Sequence, residues 1–157
     1  MPFHNAELFP LSANINIAGN LEIGGCDTVS MAQEFGTPLY VYDESTIRSM
    51  AKIYLHEFSS RYPDTTVAYA SKAFLNKEMS RIANEESLSL DVVSGGEIAV
   101  AVSTGFPAER MYFHGNNKTL QELSEAINVG IGTIVVDGFQ ELDLLNEIAK
   151  GKGKVQG

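Results

Sequence analysis

A single amine stands out in the stretch VAYASKAFLN, residues 67–76: Lys72 follows five uncharged residues and lies between Ser71 and Ala73. A surface lysine is usually one charge among several on a solvated face. An amine at the end of an apolar run, desolvated by the walls around it, gives up its proton more readily, and the free base condenses with a carbonyl as a Schiff base. The small neighbours Ala70, Ser71 and Ala73 leave room beside it for a flat ring. The competing reading is a lysine whose stem runs along a strand end while its charge reaches water.

Other polar groups collect at comparable places. Asp91 interrupts LSLDVV, residues 88–93. It is either the outward member of an alternating strand or an inward functional group, and inward it needs a cation or hydrogen-bond donor, for which Lys72 is a natural partner. Ser94-Gly95-Gly96-Glu97 has the spacing of a capping box, with Glu97 reaching back to the helix start; its glycines also expose amides that suit an anion. His114 closes the run RMYFH, either as a rim group that touches a ring or as a satisfied polar side chain. Asn116, Asn117 and Lys118 read as a turn, and Thr119 to Glu122 as a second capping box with no role beyond capping.

These groups need elements that bring them together. From residue 37 onward the pattern alternates strand and helix five times. The expected strands are 38–42 (PLYVY), 66–70, 88–93, 110–114 and 133–137. The expected helices begin near Asp43, Leu75, Gly95, Thr119 and Phe139. In the first helix Ile47, Met50, Ala51, Tyr54, Leu55 and Phe58 form one apolar stripe. Such alternation implies parallel strands with right-handed crossovers, hence an α/β fold, built either as a doubly wound sheet or as part of a (β/α)8 barrel. In both, ligands bind at the carboxyl ends of the strands. Those ends carry Asp43, Ser71 with Lys72, Ser94 to Glu97, His114 to Lys118, and Asp137. The first 36 residues are punctuated by Gly19, Gly24 and Gly25 and predict irregular or β structure, with a helical turn over 31–35.

Composition narrows the partners. The chain has 157 residues, 44% hydrophobic and 20% charged, with a formal net charge of −9. An acidic protein lacks the basic footprint that nucleic acid or an anionic membrane surface requires. One cysteine, Cys26, excludes an intrachain disulfide. No metal-ligand spacing, basic-then-apolar leader or 18-residue apolar run occurs, so the expectation is a cytoplasmic protein without a structural metal.

The segments YASKA around Lys72, LDVVSGGE (90–97), FHGNNKT (113–119), EFGTPLYVYDESTIR (34–48) and LEIGGCD resemble the diaminopimelate decarboxylases, within the fold-type III pyridoxal-phosphate enzymes with alanine racemase-like barrels. That resemblance implies the following. Lys72 holds pyridoxal 5'-phosphate until the substrate amine displaces it, and it assists reprotonation after CO2 is lost. Asp91 and Glu97 match acidic residues beside the cofactor, and His114 a strand-end residue at the barrel mouth. The reaction is the conversion of meso-2,6-diaminopimelate to L-lysine and CO2, the parent enzyme a homodimer. Ornithine, arginine or carboxynorspermidine decarboxylases, or a non-catalytic cofactor-binding homologue, are the alternatives. A flavodoxin-like sheet would place its phosphate loop after the first strand, where VYDESTIR has no glycine.

Members of that family are longer. The expectation is therefore an N-terminal fragment: residues 1–36 as a segment that packs with an absent C-terminal β-domain, and 37–157 as about five βα units of a partial barrel. Its inner apolar faces would be open, and it would be inactive alone.

Overall fold

The computed structural model describes residues 5–151. The chain divides into two compact units, Met1–Pro63 and Asp64–Gly157.

In the first unit, β1 (Asn14–Ile15), β2 (Leu21–Ile23) and β3 (Cys26–Asp27) form a small antiparallel sheet in that order, followed by helix α1 (Thr28–Phe35) and helix α2 (Glu44–Ser59). Gly24 and Gly25 both take positive φ in the turn between β2 and β3, which glycine allows without a Cβ penalty. Asp27 starts α1 by accepting hydrogen bonds from the amides of Val29 and Ser30, and its other oxygen accepts from the side chains of Asn16 and Asn20. The helical turn expected over 31–35 is thus the second half of a capped helix.

That carboxyl gives a prediction. Hydrogen bonds from Ser30 first, then Asn20 and Asn16, lower the Asp27 pKa from 3.8 to about 2. A depressed carboxyl contributes stability that is present above 3.8 and lost as pH falls through about 2. An NMR titration should place Asp27 near the lower value, and Asp27→Asn should remove this part of the acid sensitivity. A midpoint at the ordinary carboxylate value would refute the capping account.

Asp43 does not stand at a strand-end rim. It caps α2: its Oδ2 accepts from the Thr46 amide at 3.1 Å, from the Ser45 hydroxyl at 2.8 Å and from the Thr46 hydroxyl. Burial pushes this carboxyl up, but the hydrogen bonds from Thr46, Ser45 and Ser12 outweigh it and hold it below its ordinary value. Thr46 in turn accepts the Leu11 amide, and Ser12 accepts the Gly24 amide, so the cap ties the N-terminal segment to α2. The expected strand over 38–42 is not formed. These residues are apolar enough for a strand, but no ladder engages them, and Tyr40 is 87% exposed.

The second unit carries the other four expected strands: β4 (Ala68–Ala70), β5 (Ser89–Val92), β6 (Met111–Phe113) and β7 (Thr133–Ile134), all parallel, in the order β4-β5-β6-β7. Between and after them run α3 (Lys77–Glu85), α4 (Gly95–Ser103), α5 (Leu120–Val129) and α6 (Phe139–Gly151). Side chains alternate across a sheet, so the register separates two faces. One face holds Leu90, Val92, Met111 and Phe113, all 0% exposed, and it forms the core with Ile82, Ile98, Leu123 and Ile127 of the helices. The other face holds Ala68, Ala70, Ser89, Asp91, Tyr112 and Thr133. Strands in sequence order with helices on one face match a barrel segment; a doubly wound sheet reverses its order and covers both faces. The open face is small and polar, not the apolar surface expected for a barrel interior.

Close packing at the far end of the sheet supplies a second prediction. A Cβ on Gly132 would lie 2.0 Å from the Glu109 carbonyl oxygen, while the Gly132 amide donates to the Ala108 carbonyl at 3.0 Å. Gly132→Ala must displace backbone, so a loss of about 3 kcal/mol is expected in denaturant unfolding. A variant as stable as the unaltered chain would contradict this approach.

Candidate functional site

Lys72 lies in a single 3-10 turn, Ser71–Ala73, that begins as soon as β4 ends. Ala70, the last residue of the β4–β5 ladder, is its extended N-cap, and the turn packs beside β5. Lys72 is exposed rather than walled in, and no hydrogen bond or ion pair engages it among the described residues. Ser71, just before it, is 2% exposed, and its hydroxyl has no hydrogen-bond partner.

Asp91 is the β5 residue paired with Ala70 on one side and Tyr112 on the other, so its side chain rises on the open face. This settles between its two sequence readings: it belongs to the face opposite the helices. Its partner differs from the one expected. His114 Nε2 lies 3.7 Å from Asp91 Oδ1, whereas no ion pair joins Asp91 to Lys72 among the described residues. Oδ1 is buried yet accepts no hydrogen bond. His114 follows β6, held by its amide donating to the Val92 carbonyl at 2.9 Å, and its side chain is 46% exposed. Asp91 and His114 line a cavity of about 340 Å³ with Thr66, Ala68 and Tyr112.

The start of α4 departs from the expected capping box. Ser94 is the N-cap and accepts the Glu97 amide at 3.3 Å, but the Glu97 carboxylate reaches one residue further back, accepting the Val93 amide at 2.8 Å. The Gly95 amide donates to Glu122 Oε1 at 2.9 Å. One protein carboxylate, that of Glu122, therefore occupies one of the two glycine amides that suit an anion. Glu122 also completes the box at α5 by accepting the Thr119 amide and hydroxyl with its second oxygen. Hydrogen bonds from the Gly95 amide first, then from Thr119, hold its carboxyl below the ordinary range.

Lys118 is no ordinary turn residue. Its side chain is 1% exposed, and its ammonium donates to the Gly115 carbonyl at 2.6 Å, the Val135 carbonyl at 2.9 Å and Glu141 Oε1 at 2.6 Å. Three donors meet three acceptors. Glu122 and Lys118 are the residues that spacing alone missed. The one available signal was a solitary lysine between two asparagines and a capping box.

Residues 46–155 match the model of the pyridoxal-dependent decarboxylases, pyridoxal binding domain. Diaminopimelate decarboxylase of Bacillus subtilis is 54% identical over 138 residues, which is 88% of this chain and 31% of that protein. The Synechocystis enzyme of the same name is 45% identical over 97% of this chain and 34% of that protein. Among solved structures, diaminopimelate decarboxylase from M. jannaschii in complex with L-lysine superposes with a TM-score of 0.80 at 33% identity, covering 91% of this chain and 34% of that one. The chain spans about one third of the length of the curated relatives it matches.

Proposed function

The chain belongs to the pyridoxal-dependent decarboxylases, within their pyridoxal-binding domain, and on that footing we propose that it contributes the lysine-bearing rim of an enzyme that converts meso-2,6-diaminopimelate to L-lysine and CO2. The observation that carries the reading is the placement at the strand ends: an unpaired amine, Lys72, two residues beyond Ala70, whose pairing with Asp91 ends the β4–β5 ladder.

The residues present fit pyridoxal phosphate. A buried carboxylate oxygen that lacks a donor, on a face of small side chains with a cavity beside it, suits a flat cationic heterocycle. When bound, pyridoxal phosphate supplies an electron-withdrawing ring that takes up the electron pair left as CO2 departs. Lys72 would hold the aldehyde carbon covalently at its Nζ, release it to the incoming substrate amine, and return a proton to the carbon that has lost CO2. Asp91 would stand beside the cofactor and its lysine, with His114 as its neighbour at 3.7 Å. Glu97 would act from the α4 start. In the same reading the whole protein is a cytoplasmic homodimer, and residues 1–36 pack with a further β-domain.

Lys72 is tested by incubating the protein with pyridoxal phosphate, reducing with borohydride and mapping the label by mass spectrometry. Label on Lys72 supports the reading; label scattered over Lys52 and Lys150 overturns it. Substrate choice is tested by CO2 release from meso-diaminopimelate, ornithine and arginine, using the longest reading frame that contains this sequence. Release from ornithine or arginine alone would replace the substrate while keeping the reaction.

A further inference from the structure

We propose that Glu122 is a positioning residue for the rim: by joining the start of α4 to the start of α5, it fixes the segment that presents Glu97 and the strand end that carries Asp91. The inference rests on the reading of that rim as a pyridoxal-phosphate site.

An ordinary capping glutamate serves its own helix. Glu122 does this with Oε2, which accepts the Thr119 amide at 2.9 Å and the Thr119 hydroxyl at 2.8 Å. Its other oxygen accepts the Gly95 amide, 27 residues away, at the first residue of α4. Two residues further on, Glu97 accepts the Val93 amide, and Val93 directly follows β5. The Val93 carbonyl lies 3.5 Å from the place a Cβ would take on Gly115, the residue after His114. One carboxylate therefore sets the relation between the loop after β5 and the loop after β6, the two loops that flank the Asp91–His114 pair. Only a carboxylate accepts on both oxygens; in glutamine one becomes an amide nitrogen, a donor facing a donor.

The test compares the unaltered protein, Thr119→Ala and Glu122→Gln at a temperature where circular dichroism shows all three folded. Thr119→Ala weakens the α5 cap and leaves the Gly95 bond in place. Two quantities are read: the hydrogen-exchange rate of the Gly95 amide, and the dissociation constant for pyridoxal phosphate. In Glu122→Gln, Gly95 exchange should quicken about tenfold and cofactor binding weaken about tenfold, while Thr119→Ala shifts each by less than about twofold. Equal effects of the two variants, or no effect of Glu122→Gln, would overturn the proposal and reduce Glu122 to a cap. If Glu122→Gln does not fold, Glu122→Asp is read instead, and failure of both to fold also counts for a purely structural role. Absence of cofactor binding in the unaltered protein would bring down the reading of the rim itself, an outcome distinct from equal binding by all three.

Discussion

Lys72→Ala is expected to lower CO2 release by the full enzyme about a thousandfold and to abolish the borohydride-fixed label at this position. The magnitude follows from what one amine is asked to do. On the proposed reading it would hold the cofactor covalently and handle the proton at the reacting carbon, and a positioned acid or base alone contributes roughly 10²–10⁴. Lys72→Arg should be as inactive, although it keeps the charge, because a guanidinium stays protonated and does not condense with an aldehyde. A small primary amine added to the medium should restore part of the activity of the alanine variant and none to the arginine variant, whose side chain fills the space. Exposure of Lys72 and its lack of partners make this a clean substitution: no hydrogen bond or ion pair among the described residues is lost. Unfolding midpoints of the three proteins, measured without cofactor, should therefore coincide, so an activity loss cannot be assigned to instability. Activity within tenfold of the unaltered enzyme in Lys72→Ala would remove the lysine from the mechanism.

What could be read from sequence follows from how local each feature is. The start of α4 at Gly95 was legible because Ser94 and Glu97 announce it within four residues, and four of the five strands were legible from β-branched and aromatic runs. The expected strands were longer than their ladders: 88–93 shrinks to Ser89–Val92 and 133–137 to Thr133–Ile134, because composition marks an apolar run while pairing decides a strand. The run 38–42 is the extreme case, apolar throughout and in no ladder. Asp43 was misplaced for a related reason. It ends an apolar run, which suggests a rim, yet Ser45 and Thr46 after it are the local signature of a helix cap. That Lys72 follows β4 and His114 follows β6 was legible because each closes an apolar run that forms a strand, whereas the approach of His114 to Asp91 was not, since sequence pointed Asp91 to Lys72 instead. The contacts Gly95–Glu122 and Lys118–Glu141 were not, since they join residues 27 and 23 apart through loops whose approach no spacing rule encodes.

Those long-range contacts hold the largest effect expected on stability. Lys118→Met is expected to cost about 3–5 kcal/mol, because it removes the cation from a buried pair and leaves Glu141, 13% exposed, without its main partner. The methionine keeps most of the side-chain volume, so the loss reports charge and hydrogen bonding rather than a cavity. Three acceptors lose their donor together: the Gly115 carbonyl beside His114, the Val135 carbonyl after β7, and the carboxylate on α6. The contact of the ammonium with the Phe113 ring, 5.6 Å from its centroid, is lost as well. At roughly 2–4 °C per kcal/mol for a chain of this size, the midpoint should fall by about 6–20 °C. The double variant Lys118→Met with Glu141→Leu separates the two origins of the loss. If the cost comes from stranding a buried carboxylate, removing that carboxylate recovers part of it, and the two substitutions are strongly non-additive. If instead Lys118→Met costs less than about 1 kcal/mol, the ammonium is solvated and does not tie the loop after β6 to β7 and α6.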